Sequence, residues 1–277
     1  MLVAVRRIRL LHLSDVPGRV RARTERTLRI SIAQPTYLPW LGYFDLLDQV
    51  DHFVLLDSVQ FERQSWQQRN RIKTPQGLVW LTIPVMFRGR LNQSIADVNI
   101  RVPDFWRDHL RAIELNYRRA PFFNRYFDDL RQRIEMSVSN LSLSQLTISL
   151  LRWVAEIIGV RTPMIRSSEL AVHGKRTELL AEIAASLGAS SYLSPLGSSE
   201  YLLAELPILN GRGIDVTFHH YEHPVYRQLF PPFQPYTCIL DLLFNEGDNA
   251  LQIIRSGRRQ PFLPEQVASQ ICQKVSC

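Results

Sequence analysis

Apolar runs and chain breakers are set against each other most sharply between residues 28 and 57. Ile30, Ile32 and Ala33 make a short apolar run that stops at Gln34-Pro35, because proline has no N–H to donate and disfavours helix in the residue before it. A buried strand is expected to end there. Thr36 to Gly42 brings two aromatics, a second proline and a glycine, after which Phe44, Leu47 and Val50 recur at helical spacing. His52 to Leu56 reads as a second apolar strand, closed by Asp57. Strand, aromatic loop, helix and strand make a parallel βαβ unit, in which the loops after both strands open on one edge. Gln34 and Asp57 are therefore expected to face one crevice.

Further along, Leu78 to Val85 is rich in β-branched and aromatic residues and follows the turn signal Thr74-Pro75-Gln76-Gly77. It predicts a strand in a hairpin with the segment near Arg71, and Ile95 to Ile100 predicts another short strand. Asp104 is expected to cap a helix to about Tyr117. A second helix runs from Pro121 to about Ser137 on the stripe Phe123, Tyr126, Phe127, Leu130 and Ile134. A third opens at Asn140 or Ser142 and ends at Gly159. Strands over 163–166, 191–193 and 214–218 then alternate with helical patterns over 177–187 and 200–209, and Ile239 to Phe244 reads as a short helix ended by Gly247. The alternation predicts an α/β fold, a mostly parallel Rossmann-like sheet with residues 104–158 as a helical insertion or covering layer.

The net charge of +7 narrows under inspection. The first 27 residues hold seven arginines against Asp15 and Glu25, so the remainder carries about +2, a weak footprint for nucleic-acid binding. That leader lacks the apolar core and small-residue cleavage site of a signal peptide and reads as a disordered basic arm. No apolar run reaches the length of a membrane span. Cys238, Cys272 and Cys277 have no metal-ligand spacing and fit a reducing compartment.

Phosphate-loop glycines, HExxH, GxSxG and zinc-type cysteine–histidine clusters are absent from the sequence. No cofactor is specified by these residues, and no metal site is expected. The candidate chemistry lies in scattered side chains. Asp57, at a strand end, could orient a hydroxyl or amine, with a turn cap as the competing reading. Gln34 offers hydrogen bonds. Tyr37, Trp40, Tyr43 and Phe44 could stack on a base or sugar, against the commoner role of core aromatics. Arg69 and Arg71, one residue apart, share one face of an extended segment and suit a phosphate or carboxylate. Gln60, Asn70 and Lys73 add to the same anion-binding stretch. Alternation separates His219 from His220, so a three-histidine metal site is strained, and His223 is the candidate general acid or base. Asp241 and Asn245, four apart on the short helix, share a face with which to close the site beside Tyr226, or to cap neighbouring backbone.

Four segments, AQPTYLPWLGYFDLL, LDSVQFERQSWQQRNRIKT, YEHPVYRQ and ILDLLFNEG, carry a resemblance to the WbqC-like protein family that extends from Leu28 to Asn249. It leaves residues 1–27 as the arm and 250–277 as a C-terminal tail. The resemblance implies a cytoplasmic bacterial protein of surface-polysaccharide (O-antigen type) biosynthesis. The implied activity is that of a transferase on an activated or nucleotide-linked sugar, with aminoacyl (glycyl) transfer as one form; the resemblance supplies no catalytic residues. The chain departs from the family pattern at Asp57-Ser58 and at the turn Ser194-Pro195-Leu196-Gly197. The layout is also similar, more distantly, to HIGH-type nucleotidylyltransferases, with Trp40-Leu41-Gly42-Tyr43 standing where their histidine turn holds phosphates. Both histidines are missing here.

Together these readings assign the ligand, a small anionic or nucleotide-sugar substrate, to residues 28–73. Gln34, Tyr37 and Gly42 shape a pocket, Asp57 orients the acceptor, Arg69, Arg71 and Lys73 hold the anion, and His223 moves a proton. The segment from Tyr221 to Asn245 must fold back to complete the site. The alternative is a non-catalytic partner in a glycan-assembly complex, with the aromatic loop around Tyr37 and Trp40 as its protein-binding surface.

Overall fold

A computed structural model describes residues 27–90 and 92–275. The basic arm, apart from Thr27, and Cys277 lie outside the described residues.

The opening unit forms β1 (Arg29–Ala33), α1 (Leu41–Asp48) and β2 (His52–Leu55). Then come a hairpin of β3 (Arg69–Thr74) and β4 (Gly77–Thr82), and the helices α2 (Phe105–Tyr117), α3 (Phe123–Val138) and α4 (Leu143–Ile158). The alternation resumes with β5 (Met164–Arg166), α5 (Arg176–Ser186), β6 (Ser191–Ser194), α6 (Ser199–Asn210) and β7 (Asp215–Phe218). The chain closes with α7 (Ile239–Glu246), α8 (Ala250–Ser256) and α9 (Pro264–Val275). The five-stranded sheet has the order β5-β2-β1-β6-β7, parallel throughout, and β3 and β4 form a separate antiparallel pair. This is the Rossmann-like α/β arrangement expected from the alternation.

Both faces of the sheet are covered, which is why its strands read as continuous apolar runs. Ile30, Ile32 and Val54 face α5, α6 and Val267 of α9. Phe53 and Leu55 share the opposite core with α1, α7 and the α2–α4 block, the expected covering layer. Each fully buried side chain of this size contributes about 1.5–3 kcal/mol relative to exposure. Ser142 caps α4 by accepting a hydrogen bond from the Gln145 N–H at 3.3 Å, and Gly159 ends it in the left-handed conformation (φ 86°).

Two local expectations are corrected. Residues 95–100 form a 3-10 turn (Ile95–Asp97) and isolated bridges, because Ile95 and Val98 are buried at a spacing of three that suits a turn and not a strand. Asp104 stands at the start of α2 without capping it: at φ −102° and ψ 11° it lacks the extended backbone from which a cap side chain reaches back. The stretch read as a tail carries α8 and α9. There Arg258 donates to Asp45 Oδ1 at 2.8 Å and also pairs with Asp48, while Arg255 pairs with Asp48 at 2.8 Å, tying the end of the chain to α1.

Candidate functional site

From β1 the chain runs outward to β2 and β5, then returns to build β6 and β7 on the other side. The topological switch therefore lies between β1 and β6, and sheets of this kind hold ligands outside the carboxyl ends of the strands at that point. The loop leaving β1 there, residues 34–40, is fixed from the hairpin. Asn70 Nδ2 donates to the carbonyls of Tyr37 (3.1 Å) and Leu38 (2.8 Å), Tyr37 N–H donates to the Trp66 carbonyl (3.0 Å), and Gln67 Nε2 donates to Gln34 Oε1 (2.8 Å). Leu38 is held at φ 47°, a left-handed conformation that the two Asn70 bonds on either side stabilise.

Loop and hairpin enclose a cavity of about 390 Å³. Its walls are Pro39, Trp40, Tyr43, Trp66 and Tyr236, and its polar groups come from Thr36, Asn70 and Arg71. The Tyr43 hydroxyl donates to the Gln34 carbonyl at 3.1 Å, leaving its ring on the wall. Gly42 is required by a close approach: a Cβ there would fall within the Trp40 indole, which folds back over the first turn of α1.

The fourth side is the irregular segment between β7 and α7. It crosses to the hairpin, where Cys238 N–H donates to the Arg71 carbonyl (2.8 Å), Arg71 Nη2 to the Tyr236 carbonyl (3.4 Å), and Lys73 Nζ to Gln228 Oε1 (2.7 Å) and to the Pro232 carbonyl. His223 sits in this segment, stacked on Trp40 and on Tyr226 and edge-on to Tyr236. Its Nδ1 lies 2.9 Å from the Pro224 carbonyl. A carbonyl can only accept, so Nδ1 carries the proton and Nε2 keeps its lone pair. That Nε2 is buried with no partner among the described residues, and burial lowers the basicity of the ring. Thr36 Oγ1 and Arg71 Nε, both on cavity-lining residues, are likewise buried and unpartnered. Unpaired buried polar atoms are rare because each costs the desolvation of that group; two of these three belong to residues that line the cavity, and His223 lies behind its Trp40 and Tyr236 walls.

The remaining candidates divide. Arg69 and Arg71 do share one face of β3, and neither has a carboxylate partner among the described residues. Asn70, on the other face, serves the loop. Lys73 is only 2% exposed and is committed to Gln228 and Pro232, so the segment that closes the site has taken it from the anion-binding face. Gln60 is exposed in a bridge to Ser94 and does not line the cavity.

Tyr37 is fully buried with its hydroxyl 3.0 Å from His109 Nδ1, which removes it both from the pocket surface and from any protein-binding surface. Asp241 is buried, accepting from Tyr117 (2.9 Å), Tyr226 (2.7 Å) and Gln228 (2.8 Å), and burial raises its pKa. Asn245 donates to the Asp241 carbonyl at 2.7 Å. Tyr226, Asp241 and Asn245 thus form a polar network beneath the closing segment, and none of them lines the cavity.

Asp57 also resolves toward its capping role. Its carboxylate is fully buried, 2.8 Å from Arg166, and accepts from the Ser168 N–H (3.0 Å) and from the hydroxyls of Ser168 (3.0 Å), Ser144 (3.3 Å) and Ser167 (3.3 Å). Its acceptor positions are filled from within the chain. It joins the end of β2 to the loop after β5 and the first turn of α4, and neither it nor Gln34 lines the cavity.

Sequence reasoning passed over Thr36, Pro39, Trp66 and Tyr236 as pocket residues. Trp66 carried a usable signal, an aromatic just before a strand that was already a candidate. It also missed a second buried group, in which His219 Nε2, just after β7, lies 2.8 Å from Asp45 Oδ2 on α1. The signal there was an aspartate inside an otherwise apolar helix.

The parallel sheet, with a cleft at its switch point, defines a Rossmann-like α/β protein. More specifically, the chain belongs to the WbqC-like protein family, which it matches over residues 34–253, a span that contains every cavity residue named above. It is 35% identical over 232 residues to the "Uncharacterized protein Rv1507c" of Mycobacterium tuberculosis (strain ATCC 25618 / H37Rv), covering 83% of this chain and 99% of that one. No solved structure matches the chain.

Proposed function

We propose that the protein is a cytoplasmic transferase of bacterial surface-polysaccharide synthesis, of the O-antigen type, acting on an activated or nucleotide-linked sugar. Aminoacyl (glycyl) transfer is the reaction form favoured. Trp40, Tyr43 and Tyr236 supply flat apolar walls on which a pyranose ring stacks, Thr36 supplies a hydroxyl to bond it, and Arg71 supplies positive charge for the anionic portion. The attacking hydroxyl or amine of the acceptor loses its proton to His223 Nε2 as it bonds to the acyl carbon of the activated donor, whose leaving group departs.

The observation that carries this reading is the free Nε2 lone pair of His223, held in one tautomer by Pro224 and packed against two walls of the cavity. A thermal-shift screen of nucleotide sugars, sugar phosphates and aminoacyl donors tests it. The expected result is stabilisation by a sugar ligand that Arg71→Ala diminishes, with turnover abolished by His223→Gln while binding persists. Stabilisation by no sugar ligand, or turnover unaffected by His223→Gln, would count against it.

A further inference from the structure

The outer face of the hairpin is unusual for a free surface. Trp66 is 47% exposed and Trp80 is 42% exposed, with their rings 5.3 Å apart, although indoles are normally withdrawn from water. Two guanidinium groups accompany them. Trp80 pairs across the strands with Arg71, whose Cζ is 5.4 Å from both indoles, and Arg69 lies 4.3 Å over Trp80. A strand period of two puts Arg69 and Arg71 on this same face.

The surface is continuous with the cavity, since Trp66 and Arg71 belong to both. Arg71 stands at the junction with a buried, unpartnered Nε and only one long bond, to the Tyr236 carbonyl, from its Nη2.

We propose that Trp66, Trp80, Arg69 and Arg71 form a nucleoside diphosphate subsite: the base stacks on the indole platform, the diphosphate lies along the two arginines, and the linked sugar enters the cavity. This rests on the reading of the cavity as a sugar site and assigns the other half of the same substrate. A nucleobase presents a flat π-face that can lie over an exposed pair of indoles, while the pyranose packs its C–H face on the narrower aromatic walls of the cavity. The two guanidiniums lie against the indoles without a carboxylate partner among the described residues, which suits them to an anion beside the stacked ring. A nucleoside diphosphate combines both features in one molecule.

Calorimetric titration of the full chain with UDP, dTDP, GDP and CDP, and separately with inorganic pyrophosphate, tests the assignment. At least one nucleoside diphosphate binds the wild type. Trp66→Ala and Trp80→Ala each weaken it about tenfold or more, and Trp66→Phe restores most of the loss. Pyrophosphate binding is indifferent to the tryptophan variants and falls with Arg71→Ala. These indoles are half open to water, so their removal leaves the fold intact, which circular dichroism checks.

The proposal is overturned if no nucleoside diphosphate binds, if binding ignores Trp66 and Trp80, or if the platform takes anionic vesicles or a protein that the nucleotide does not displace. Sugar phosphates that bind through Trp40 while nucleotides do not would remove this subsite and leave the sugar reading standing. Nucleotides that bind through the indoles without turnover of any sugar would do the reverse.

Discussion

Trp40 and His223 lie nearly parallel, their rings 6.1 Å apart with an angle of 15° between planes, although one residue begins α1 and the other follows β7. The indole therefore both walls the cavity and packs against the base proposed for the reaction. His223→Gln is expected to lower turnover by about 10²–10⁴-fold with little change in ligand affinity. Because burial lowers the pKa of His223, its basic form persists to more acid pH than an ordinary histidine allows. The acid limb of the rate profile is then expected below about pH 6.5. A pH–rate series on wild type checks this, and a limb above that value would remove His223 from the role.

Gly42→Ala places a methyl group where the Trp40 indole lies. The ring must swing away, at a cost of about 1–3 kcal/mol in stability, and it leaves His223 and Tyr236 as it goes. Thermal melting is expected to fall modestly while ligand affinity falls sharply. A variant that loses stability without losing affinity would show that the indole contact is dispensable.

Asp57→Ala is expected to act on the fold and not on the chemistry. It leaves Arg166 without its buried partner and strands the hydroxyls of Ser144, Ser167 and Ser168, at a cost of about 3–5 kcal/mol. Denaturant unfolding reads the loss. If the variant melts like wild type but loses turnover, Asp57 belongs to the reaction after all.

His109 adds a separate pH dependence to stability. Its Nε2 donates to the Thr82 carbonyl (3.2 Å) and its Nδ1 accepts from Tyr37 (3.0 Å), so the buried ring is held neutral and burial pushes its pKa down to about 4. The unfolded chain, with an ordinary histidine, binds a proton below about pH 6.5 that the folded one refuses. Stability contributed by the neutral ring is complete above that pH and declines as pH falls toward 4, by on the order of 3 kcal/mol. His109→Gln is expected to flatten this part of the slope in urea titrations taken at successive pH values. An unchanged slope would sink the assignment.

The βαβ opening was legible because proline, glycine and apolar spacing act locally, and the hairpin because Thr74-Pro75-Gln76-Gly77 is a local turn signal. The shared face of Arg69 and Arg71 followed from strand period alone. Asp57 could not be resolved, since its partners Arg166 and Ser168 lie 109 and 111 positions away. Tyr37 looked like a pocket aromatic until His109, 72 positions on, closed over its hydroxyl. Lys73 shared the parity of Arg69 and Arg71, yet a segment distant in sequence buried it. Strand and turn chemistry is written in neighbouring residues. Whether a polar side chain meets water, ligand or a buried partner is decided by contacts that only the closed fold creates.

The bonds that close the cavity have one more consequence, in time. Lys73 meets Gln228 across 155 positions and Arg71 meets Tyr236 across 165. On the ribosome, therefore, the hairpin emerges long before the segment that completes it, and the Lys73 ammonium group waits uncovered while the α2–α4 block and the rest of the sheet are made. A chain interrupted before Gln228 has much of the scaffold and one open side to the cavity. The cavity is therefore completed last in synthesis, and a truncated product has the hairpin without the segment that holds Lys73 and supplies Tyr236 to the wall.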